Sequence, residues 1–289
     1  MIRELPTFGC VVLTQGKRPD DLAAALASLL AQEGVRTDIG VVGNGWAPTG
    51  LPDGVRAIER EVDDGIPGGR NFGVPHVEGE FLFFLDDDAR LAEPDALARI
   101  ADLFAGDRSV GMVQLRVDPR DGGRPEREWV PRLRAADRTR SGEVTHVWEG
   151  AVAIRRDVFT AVGGWPGEFR FVHEGVDLGW RVMDAGHRIL YAGDIAASHP
   201  PYDARNGWDY YFGARNRVWL ARRHLAWPLA VPFVTSFALR TVPRLDSPEK
   251  RRAALRGYRD GITQPCGPRR PLRRATVGRM ARLGRPPVL

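Results

Sequence analysis

The sequence has few cysteines, no long apolar run and a final stretch without acidic residues. Its 289 residues include two cysteines, Cys10 and Cys266, which lie far apart. A disulfide framework is therefore not expected, and a reducing compartment is. The best membrane candidate, residues 227–239, is too short to span a bilayer and is broken by two prolines. Because the N-terminal residues also lack a signal-peptide pattern, we expect a cytoplasmic protein.

The shortage of acidic residues is confined to the end of the chain. The whole chain carries a formal net charge of +5, and residues 266–289 contain seven arginines, so the rest carries 5 − 7 = −2. One interpretation is a solvated, poorly ordered terminus. The other is contact with a polyanion, either nucleic acid or anionic lipid at the inner face of a membrane. No sequence-specific binding of nucleic acid is expected.

Apolar strand patterns and amphipathic helix patterns alternate over the first 115 residues. Pro19 suits the first turn of a helix, and Gly34 is a natural stop after it. This alternation predicts an α/β fold with a doubly wound, mostly parallel sheet. The predicted strands cover residues 8–14, 37–45, 54–60, 80–86 and 110–117, and further helices are predicted at 69–77 and 94–106.

The stretch FLFFLDDDAR places three carboxylates, Asp86, Asp87 and Asp88, directly after a buried strand. Thr14 and Asn44 also fall at predicted strand ends. Ligands of open α/β sheets bind outside the carboxyl ends of the strands, so these residues are expected to share one crevice. Clustered carboxylates suit a hard cation such as Mg²⁺ or Mn²⁺. The alternative is an acidic strand end that faces solvent or caps the next helix.

Four segments, in order, resemble the inverting family 2 glycosyltransferases of the GT-A fold, including rhamnosyltransferase-like members. They contain a Ser-Leu-Leu-x-Gln helix end, a Gly-Asn-Gly turn, a Gly-Gly-Arg-Asn turn before the acidic strand, and a long acceptor-side block. The resemblance implies transfer of a sugar from a nucleoside diphosphate sugar, with UDP- and dTDP-sugars favoured, to an acceptor nucleophile. The four segments are residues 11–32, 41–45, 65–89 and 148–199.

The resemblance also assigns residues to the donor site. It implies that Asp88 and His199 hold a divalent metal, Mn²⁺ or Mg²⁺, that neutralises the leaving diphosphate. Donor contacts are implied for six residues, with Asp86 or Asp87 at the ribose or at a water on the metal. These residues are Thr14, Asn44, Arg70, Asn71, Asp86 and Asp87.

The sequence departs from the family pattern at two positions where an aspartate is usual. Gly43 replaces an acid that often contacts the nucleotide base, which leaves the base open, although Asp63 or Asp64 could substitute. Gly175 replaces the usual catalytic base in the stretch HEGVDLGWR. Either Glu174 or Asp177 then acts as the base that inverting transfer requires, or no base lies in this stretch, which would mean an unusual acceptor or an inactive relative. The structural alternative for Asp177 is that it anchors the helix through an arginine at i+4.

The acceptor side is predicted to be aromatic and basic. The resemblance places Trp148, Glu149, Gly150, Trp165 and Arg215 on it. Aromatic faces suit sugars and apolar aglycones, but they are also common in protein cores. The acceptor is expected to be a glycan, a lipid-linked molecule, or a small-molecule or peptide nucleophile, and the sequence does not choose between them.

The expected organisation is a GT-A catalytic domain over residues 1–224, divided into a nucleotide-sugar half (1–115) and an acceptor half (116–224). A helical extension (225–262) and a basic, flexible tail (263–289) follow. Peripheral membrane contact through the basic end and a homodimer are both compatible with this arrangement. Two other function classes stay open, a non-catalytic nucleotide-sugar binder and a sugar nucleotidyltransferase.

Overall fold

The computed structural model describes residues 4–132, 137–201 and 207–287. Within these ranges nine strands form one mixed sheet, with helices on both faces and at the C-terminal end. The strands are β1 (Thr7–Thr14), β2 (Arg36–Asn44), β3 (Val55–Arg60), β4 (Phe81–Asp86), β5 (Arg90–Leu91), β6 (Val110–Pro119), β7 (Gly142–Val144), β8 (Ala151–Arg155) and β9 (Arg188–His199). The helices are α1 (Pro19–Leu30), α2 (Gly65–Gly73), α3 (Ala96–Gly106), α4 (Arg156–Val162), α5 (Glu174–Asp184), α6 (Gly207–His224), α7 (Trp227–Thr241), α8 (Pro248–Thr263) and α9 (Arg274–Arg282).

The strands lie in the order β3-β2-β1-β4-β8-β6-β9-β5, and β7 pairs with β9. The first four are mutually parallel, β8 runs antiparallel between β4 and β6, and β6 pairs in parallel with β9. Strand β9 therefore runs in the same direction as β1 and β4. The carboxyl ends of these strands meet at one edge, as the predicted α/β architecture requires. The predicted fold class is thus confirmed.

Strand β4 is buried on both faces. Successive side chains of a strand point to opposite faces. Accordingly Phe81, Phe83 and Leu85 pack in one core with α1 and α3, whereas Leu82 and Phe84 pack in the core on the other side. All five are at most 4% exposed. Its apolar run therefore anchors the strand, and the acids that follow it emerge at the ligand-binding edge.

The structure differs from the sequence-based expectation in the basic tail. Residues 274–282 form helix α9, in which Met280 is buried in the core. Thr276 Oγ1 donates to Asp184 Oδ1 on α5 over 2.6 Å, and Arg279 Nε donates to Glu143 Oε1 on β7 over 2.7 Å. Because acids of the α/β domain pair with tail residues, this part of the tail is packed on the domain. Its last two residues lie outside the described ranges.

The helical extension predicted for residues 225–262 is present as α7 and α8. Trp227, Val231 and Leu239 of α7 are each more than half exposed. In the described part of the chain no helix is long and apolar enough to cross a membrane.

Candidate active site

Asp86, Asp88 and His199 converge at the carboxyl edge of the sheet. One ligand atom from each lies within 4.8 Å of the other two. Asp86 ends β4 and His199 ends β9, which runs in the same direction. The short strand β5 pairs with β9 at Ser198 and so draws the chain after the acids toward His199. The sheet topology thus brings together residues that are more than 100 positions apart in sequence.

His199 is held in a fixed orientation. Its Nε2 lies 3.0 Å from Asp88 Oδ1 and 3.8 Å from Asp86 Oδ2, and its Nδ1 contacts the carbonyl oxygen of Pro200 over 2.5 Å. The rings of Trp129 and Trp148 pack edge-on against the imidazole. Burial opposes its protonation, but Asp88 and Asp86 outweigh burial and raise the pKa of His199.

The pKa of Asp88 is shifted in the opposite sense. Burial would raise it, but His199 and Arg18 outweigh burial and hold the pKa below the ordinary value of an aspartate. Asp88 therefore stays ionised. Two carboxylates and one imidazole are a donor set that suits Mn²⁺ and also accepts Mg²⁺. Asp86 and His199 end strands of the sheet, and Asp88 lies in the turn directly after β4. The residues present fit a divalent cation.

Arg18 is a member of this site that the sequence patterns do not reveal. Its guanidinium contacts Asp88 with one nitrogen and Asp87 with the other, and its side chain is 49% exposed. Thr14 Oγ1 donates to Asp87 Oδ2 over 2.6 Å. Burial raises the pKa of Asp87 to about 6, although Thr14 and Arg18 oppose the shift. Arg18 follows the carboxyl end of β1, and this position is the only signal in the sequence that it could reach the crevice.

Asn44 fixes the loop before α2. Its Nδ2 donates to Asp63 Oδ1 over 2.7 Å, and its Oδ1 accepts the backbone N–H of Asp64. A Cβ at Gly43 would collide with the carbonyl oxygen of Trp46, so an aspartate has no room at this position. Asp63 also accepts from Gln15 Nε2 over 2.9 Å, which places a carboxylate between the ends of β1 and β2.

Arg70 reaches the acids from α2. It is 2% exposed, and its Nη2 donates to Asp86 Oδ1 over 2.5 Å. Its guanidinium lies 5.2 Å from the Trp165 ring. Asn71 accepts from the backbone N–H of Trp165 and donates to its carbonyl oxygen. Trp165 is therefore a buried support for Arg70 and not an open aromatic platform, and the polar atoms of Asn71 are occupied in holding it.

Glu149 and Glu174 form a second acidic group beside Arg70. Glu149 follows β7, and its Oε1 accepts the backbone N–H of Gly175 at the start of α5. Glu174 is 3% exposed, and its Oε2 is buried without a hydrogen-bond partner among the described residues. Burial, followed by the charge of Glu149, raises the pKa of Glu174 to about 8. Burial also raises the pKa of Glu149, against the opposing influence of Arg70 and the Gly175 N–H.

Asp177 lies one turn further along α5 in a cationic setting. It is fully buried, and it pairs with Arg181 at 2.7 Å, His224 at 2.7 Å and Arg223 at 3.4 Å. Burial opposes its ionisation, yet these partners hold the pKa of Asp177 well below the usual range. The contact with Arg181 is the i+4 anchor that the sequence analysis offered as the structural alternative.

The segment before α5 has an unusual backbone. Arg170, Val172 and His173 all have positive φ angles, which for a β-branched residue such as Val172 is a true outlier. Asn216 Nδ2 donates to the carbonyl oxygens of residues 169, 171 and 172, and Arg215 Nη2 donates to that of residue 169 over 2.8 Å. Arg215, predicted on the acceptor side, therefore holds the segment that presents Glu174.

Trp148 and Gly150, from the segment predicted on the acceptor side, contact residues of the candidate metal site formed by Asp86, Asp88 and His199. The Trp148 ring packs on His199, and its backbone N–H donates to Gln114 Oε1 over 2.8 Å. The carbonyl oxygen of Gly150 accepts the N–H of Asp86 over 3.0 Å, and a Cβ at Gly150 would collide with the Trp148 ring. Trp148 and Gly150, predicted on the acceptor side, thus contact His199 and Asp86 of the predicted donor side.

Solved structures with a similar fold include glycosyltransferases of the GT-A type. They include GalNAc-T7 with UDP, GalNAc and Mn²⁺, at 15% identity and a TM-score of 0.62, covering 90% of this chain and 56% of that one. Residues 1–349 of TarS from S. aureus, in complex with UDP-GlcNAc, match at 14% sequence identity and a TM-score of 0.61. The match covers 89% of this chain and 80% of that one. The mannosyltransferase PcManGT from Pyrobaculum calidifontis, with GDP-Man and Mn²⁺, matches at 16% sequence identity and a TM-score of 0.57. The match covers 97% of this chain and 80% of that one. This chain therefore spans just over half the length of GalNAc-T7 and about four fifths of the other two.

The sequence itself matches the model of Glycosyl transferase family 2 over residues 10–163, which is more than half of the chain. The protein therefore belongs to this family. A comparison with curated protein sequences found no significant match.

Proposed function

We propose that this protein transfers a hexose-type sugar from a nucleoside diphosphate sugar to an acceptor nucleophile in a single, inverting displacement. The observation that carries the proposal is the convergence of Asp86, Asp88 and His199 at the carboxyl edge of a family 2 fold. GalNAc-T7 with UDP and Mn²⁺ and PcManGT with GDP-Man and Mn²⁺ have the same fold, which supports a nucleotide-sugar donor and a divalent metal.

Asp88 and His199, with Asp86 beside them, would hold the divalent cation. When bound, such a metal acts as a Lewis acid that offsets the charge developing on the diphosphate leaving group. Arg70 stays paired with Asp86 and fixes the orientation of this carboxylate. Trp129 and Trp148 shield the imidazole of His199 from water on two sides.

The nucleotide would bind along the ends of β1 and β2. Thr14 and Asp87 line its inner side, and Asn44 holds the loop that carries Asp63. Because Gly43 has no room for an acid, Asp63 is the carboxylate that would contact the base. The uracil or thymine N3–H of UDP or dTDP, the nucleotides that the family resemblance favours, can donate to such a carboxylate, as can the guanine N1–H of GDP.

The base that takes the acceptor's proton would come from the acids at the start of α5. Glu174 lies there, close to Arg70, Asp86 and Glu149, which interact with it electrostatically. Its pKa, raised to about 8, keeps most of this group protonated near neutral pH, so Glu174 would act together with the neighbouring carboxylate of Glu149. Asp177 does not fit, because three cationic side chains enclose it and stabilise its charge.

The acceptor would approach from the side of Trp148 and the segment before α5. Its nucleophile is a hydroxyl or amine of a glycan, a lipid-linked molecule or a small molecule. The exposed apolar residues of α7 and the arginines of α8 and α9 are compatible with a lipid-linked acceptor at a membrane surface.

Calorimetric titration with UDP, dTDP and GDP tests the proposal, with Mn²⁺ or Mg²⁺ and then with a chelator. We expect one nucleotide to bind only with metal, and Asp88→Ala to weaken this binding by at least about 100-fold. Asp53→Ala, which removes an exposed aspartate outside the crevice, is the matched control. Binding that ignores both the metal and Asp88 would refute the metal-assisted reaction.

A further inference from the structure

The sequence has a glycine at position 175, where the family usually has an aspartate, and the side chain of Glu149 explains why. A Cβ built on Gly175 would lie 2.8 Å from Glu149 Cδ, and it would also collide with the carbonyl oxygen of Val147. No side chain therefore fits at position 175. The carboxylate of Glu149 occupies that space, although it comes from the segment between β7 and β8.

Glu149 is placed to carry negative charge. Its Oε1 accepts the backbone N–H of Gly175 in the first turn of α5, where the helix dipole favours an anion. Burial raises its pKa, and Arg70 is the cation that opposes this rise most. Glu149 is also the more accessible of the two glutamates, since it is partly exposed whereas Glu174 is 3% exposed.

Glu174 is placed to carry a proton. Its Oε2 is buried with no hydrogen-bond partner in the described ranges, and no cation forms an ion pair with it there. A buried carboxyl group without such partners is more stable in its neutral form, and a neighbouring carboxylate strengthens that preference. The two glutamates therefore cannot both be ionised at low cost, and their surroundings favour the charge on Glu149.

We propose that the catalytic base is a carboxylate pair in which Glu149 is the ionised proton acceptor and Glu174 its protonated partner. The inference rests on the proposed glycosyl transfer and names the atom that accepts the proton. The acceptor O–H bond breaks and its proton passes to the Glu149 carboxylate. The acceptor oxygen bonds to the anomeric carbon of the donor sugar, and the bond from that carbon to the diphosphate oxygen breaks, which releases the nucleoside diphosphate.

Paired amide variants test the assignment. Glutamine at position 149 keeps the side-chain volume and an oxygen that can accept the Gly175 N–H, but it cannot accept a proton. Glutamine at position 174 imitates a neutral carboxyl group. We therefore expect Glu149→Gln to lower kcat by about 100-fold or more, and Glu174→Gln to lower it by less than about 10-fold. Both should bind the nucleoside diphosphate with Mn²⁺ as tightly as the wild type.

The turnover assay measures release of UDP, dTDP or GDP from sugar donors, with water as the acceptor. Formate provides a second reading, because it can enter the space left in Glu149→Ala and supply a carboxylate. We expect formate to restore turnover in Glu149→Ala but not in Glu149→Gln, where the space is filled. A glutamate that merely caps α5 would show no such rescue. Glu168→Gln, which changes a half-exposed carboxylate on the adjacent turn, is the matched control.

A spectroscopic arm needs no substrate. Infrared spectra of the wild type at pH 7 should contain the carbonyl stretch of one buried, protonated carboxylic acid, and this band should be missing in Glu174→Gln. If Glu174→Gln loses turnover while Glu149→Gln keeps it, or if the band persists in Glu174→Gln, the charge assignment is wrong and glycosyl transfer stands. If the wild type binds none of the nucleotides with Mn²⁺, the proposed function fails and the inference fails with it.

Discussion

Two groups of acids lie at the same edge of the sheet, in opposite surroundings. Asp86, Asp87 and Asp88 each contact an arginine or His199, whereas Glu149 and Glu174 form no ion pair among the described residues and feel the charge of Arg70 from further away. The pKa of Asp88 is lowered, although burial opposes this, whereas burial and Glu149 raise the pKa of Glu174 to about 8. Asp88 in the first group keeps its charge, whereas burial raises the pKa of Asp87 to about 6, and the second group is suited to exchange a proton. Carboxyl groups at one edge of a sheet can therefore have different roles.

The largest effect is expected for a substitution of Asp177. This residue lies three positions after Glu174 on α5, but cationic side chains surround it, as they do the first group of acids. Asp177→Asn leaves Arg181, Arg223 and His224 without their buried counter-charge. We expect the free energy of unfolding to fall by about 3–5 kcal/mol, measured by urea denaturation.

The matched control is Asp118→Asn, which breaks more exposed pairs with Arg116 and Arg138 and should cost less than about 1 kcal/mol. If Asp177→Asn proved as stable as the wild type but lost turnover, Asp177 would belong with the proton-exchanging group and would return as a candidate base.

The metal site gives the next largest effect. His199→Ala removes the nitrogen ligand, so the affinity for free Mn²⁺, measured by electron paramagnetic resonance, should fall by about 10–100-fold. Glu174→Gln should leave that affinity within about twofold, since Glu174 belongs to the other group. The exposed His76 provides the control for removing an imidazole elsewhere. Equal Mn²⁺ affinity in wild type and His199→Ala would remove His199 from the site.

Protonation of Glu174 should also be visible in stability. Its pKa rises from an ordinary value of 4.5 to about 8 on folding, so between these pH values the unfolded chain loses a proton that the folded protein keeps. Stability contributed by the neutral group is complete below pH 4.5 and declines as pH rises toward 8. Glu174→Gln lacks this decline, so its stability relative to wild type should increase by about 3–4 kcal/mol between pH 5 and pH 8.

The measurement is urea denaturation at several pH values, with Glu168→Gln as the control for an accessible glutamate. Parallel stability curves for wild type and Glu174→Gln would show that Glu174 is ionised in the folded protein, which would remove the contrast between the two acidic groups.

The fold could be predicted because local sequence and burial agree. The apolar run of β4 is buried on both faces, and Leu22, Leu26 and Leu29 of α1 are buried as their helical spacing predicts. The packing of α9 could not be predicted. Its arginines indicate a solvated segment. Only the three-dimensional structure shows that Asp184 accepts a hydrogen bond from Arg273 and that Glu143 accepts one from Arg279.

The candidate site could be predicted in part. Acids at strand ends converge because parallel strands share an edge, and this argument reaches Asp86 and Asp88 from the sequence alone. Arg18 is different, because a half-exposed side chain in a turn follows no periodicity. The pairing of Glu149 with Gly175 was also beyond sequence reasoning: a missing aspartate is visible in the sequence, but the residue that fills its space is visible only in three dimensions.

The smallest effect is expected for a substitution of Arg18, which contacts two acids of the first group. Its guanidinium lies against Asp87 and Asp88 and offsets part of their charge, so it competes electrostatically with a bound cation. Because the side chain is half exposed, solvent screens this competition. We expect Arg18→Ala to tighten the binding of free Mn²⁺ by about 2–5-fold, and the gain to shrink as the salt concentration rises.

Lys17→Ala is the matched control, because Lys17 is the neighbouring cation but donates to Gln15 and contacts neither aspartate. It should change the Mn²⁺ affinity by less than Arg18→Ala at every salt concentration. Weaker Mn²⁺ binding in Arg18→Ala would mean that Arg18 orients the carboxylates for the metal rather than competing with it. The arginine would then be part of the metal site, and the charge of the acids would depend on its geometry as well as on its sign.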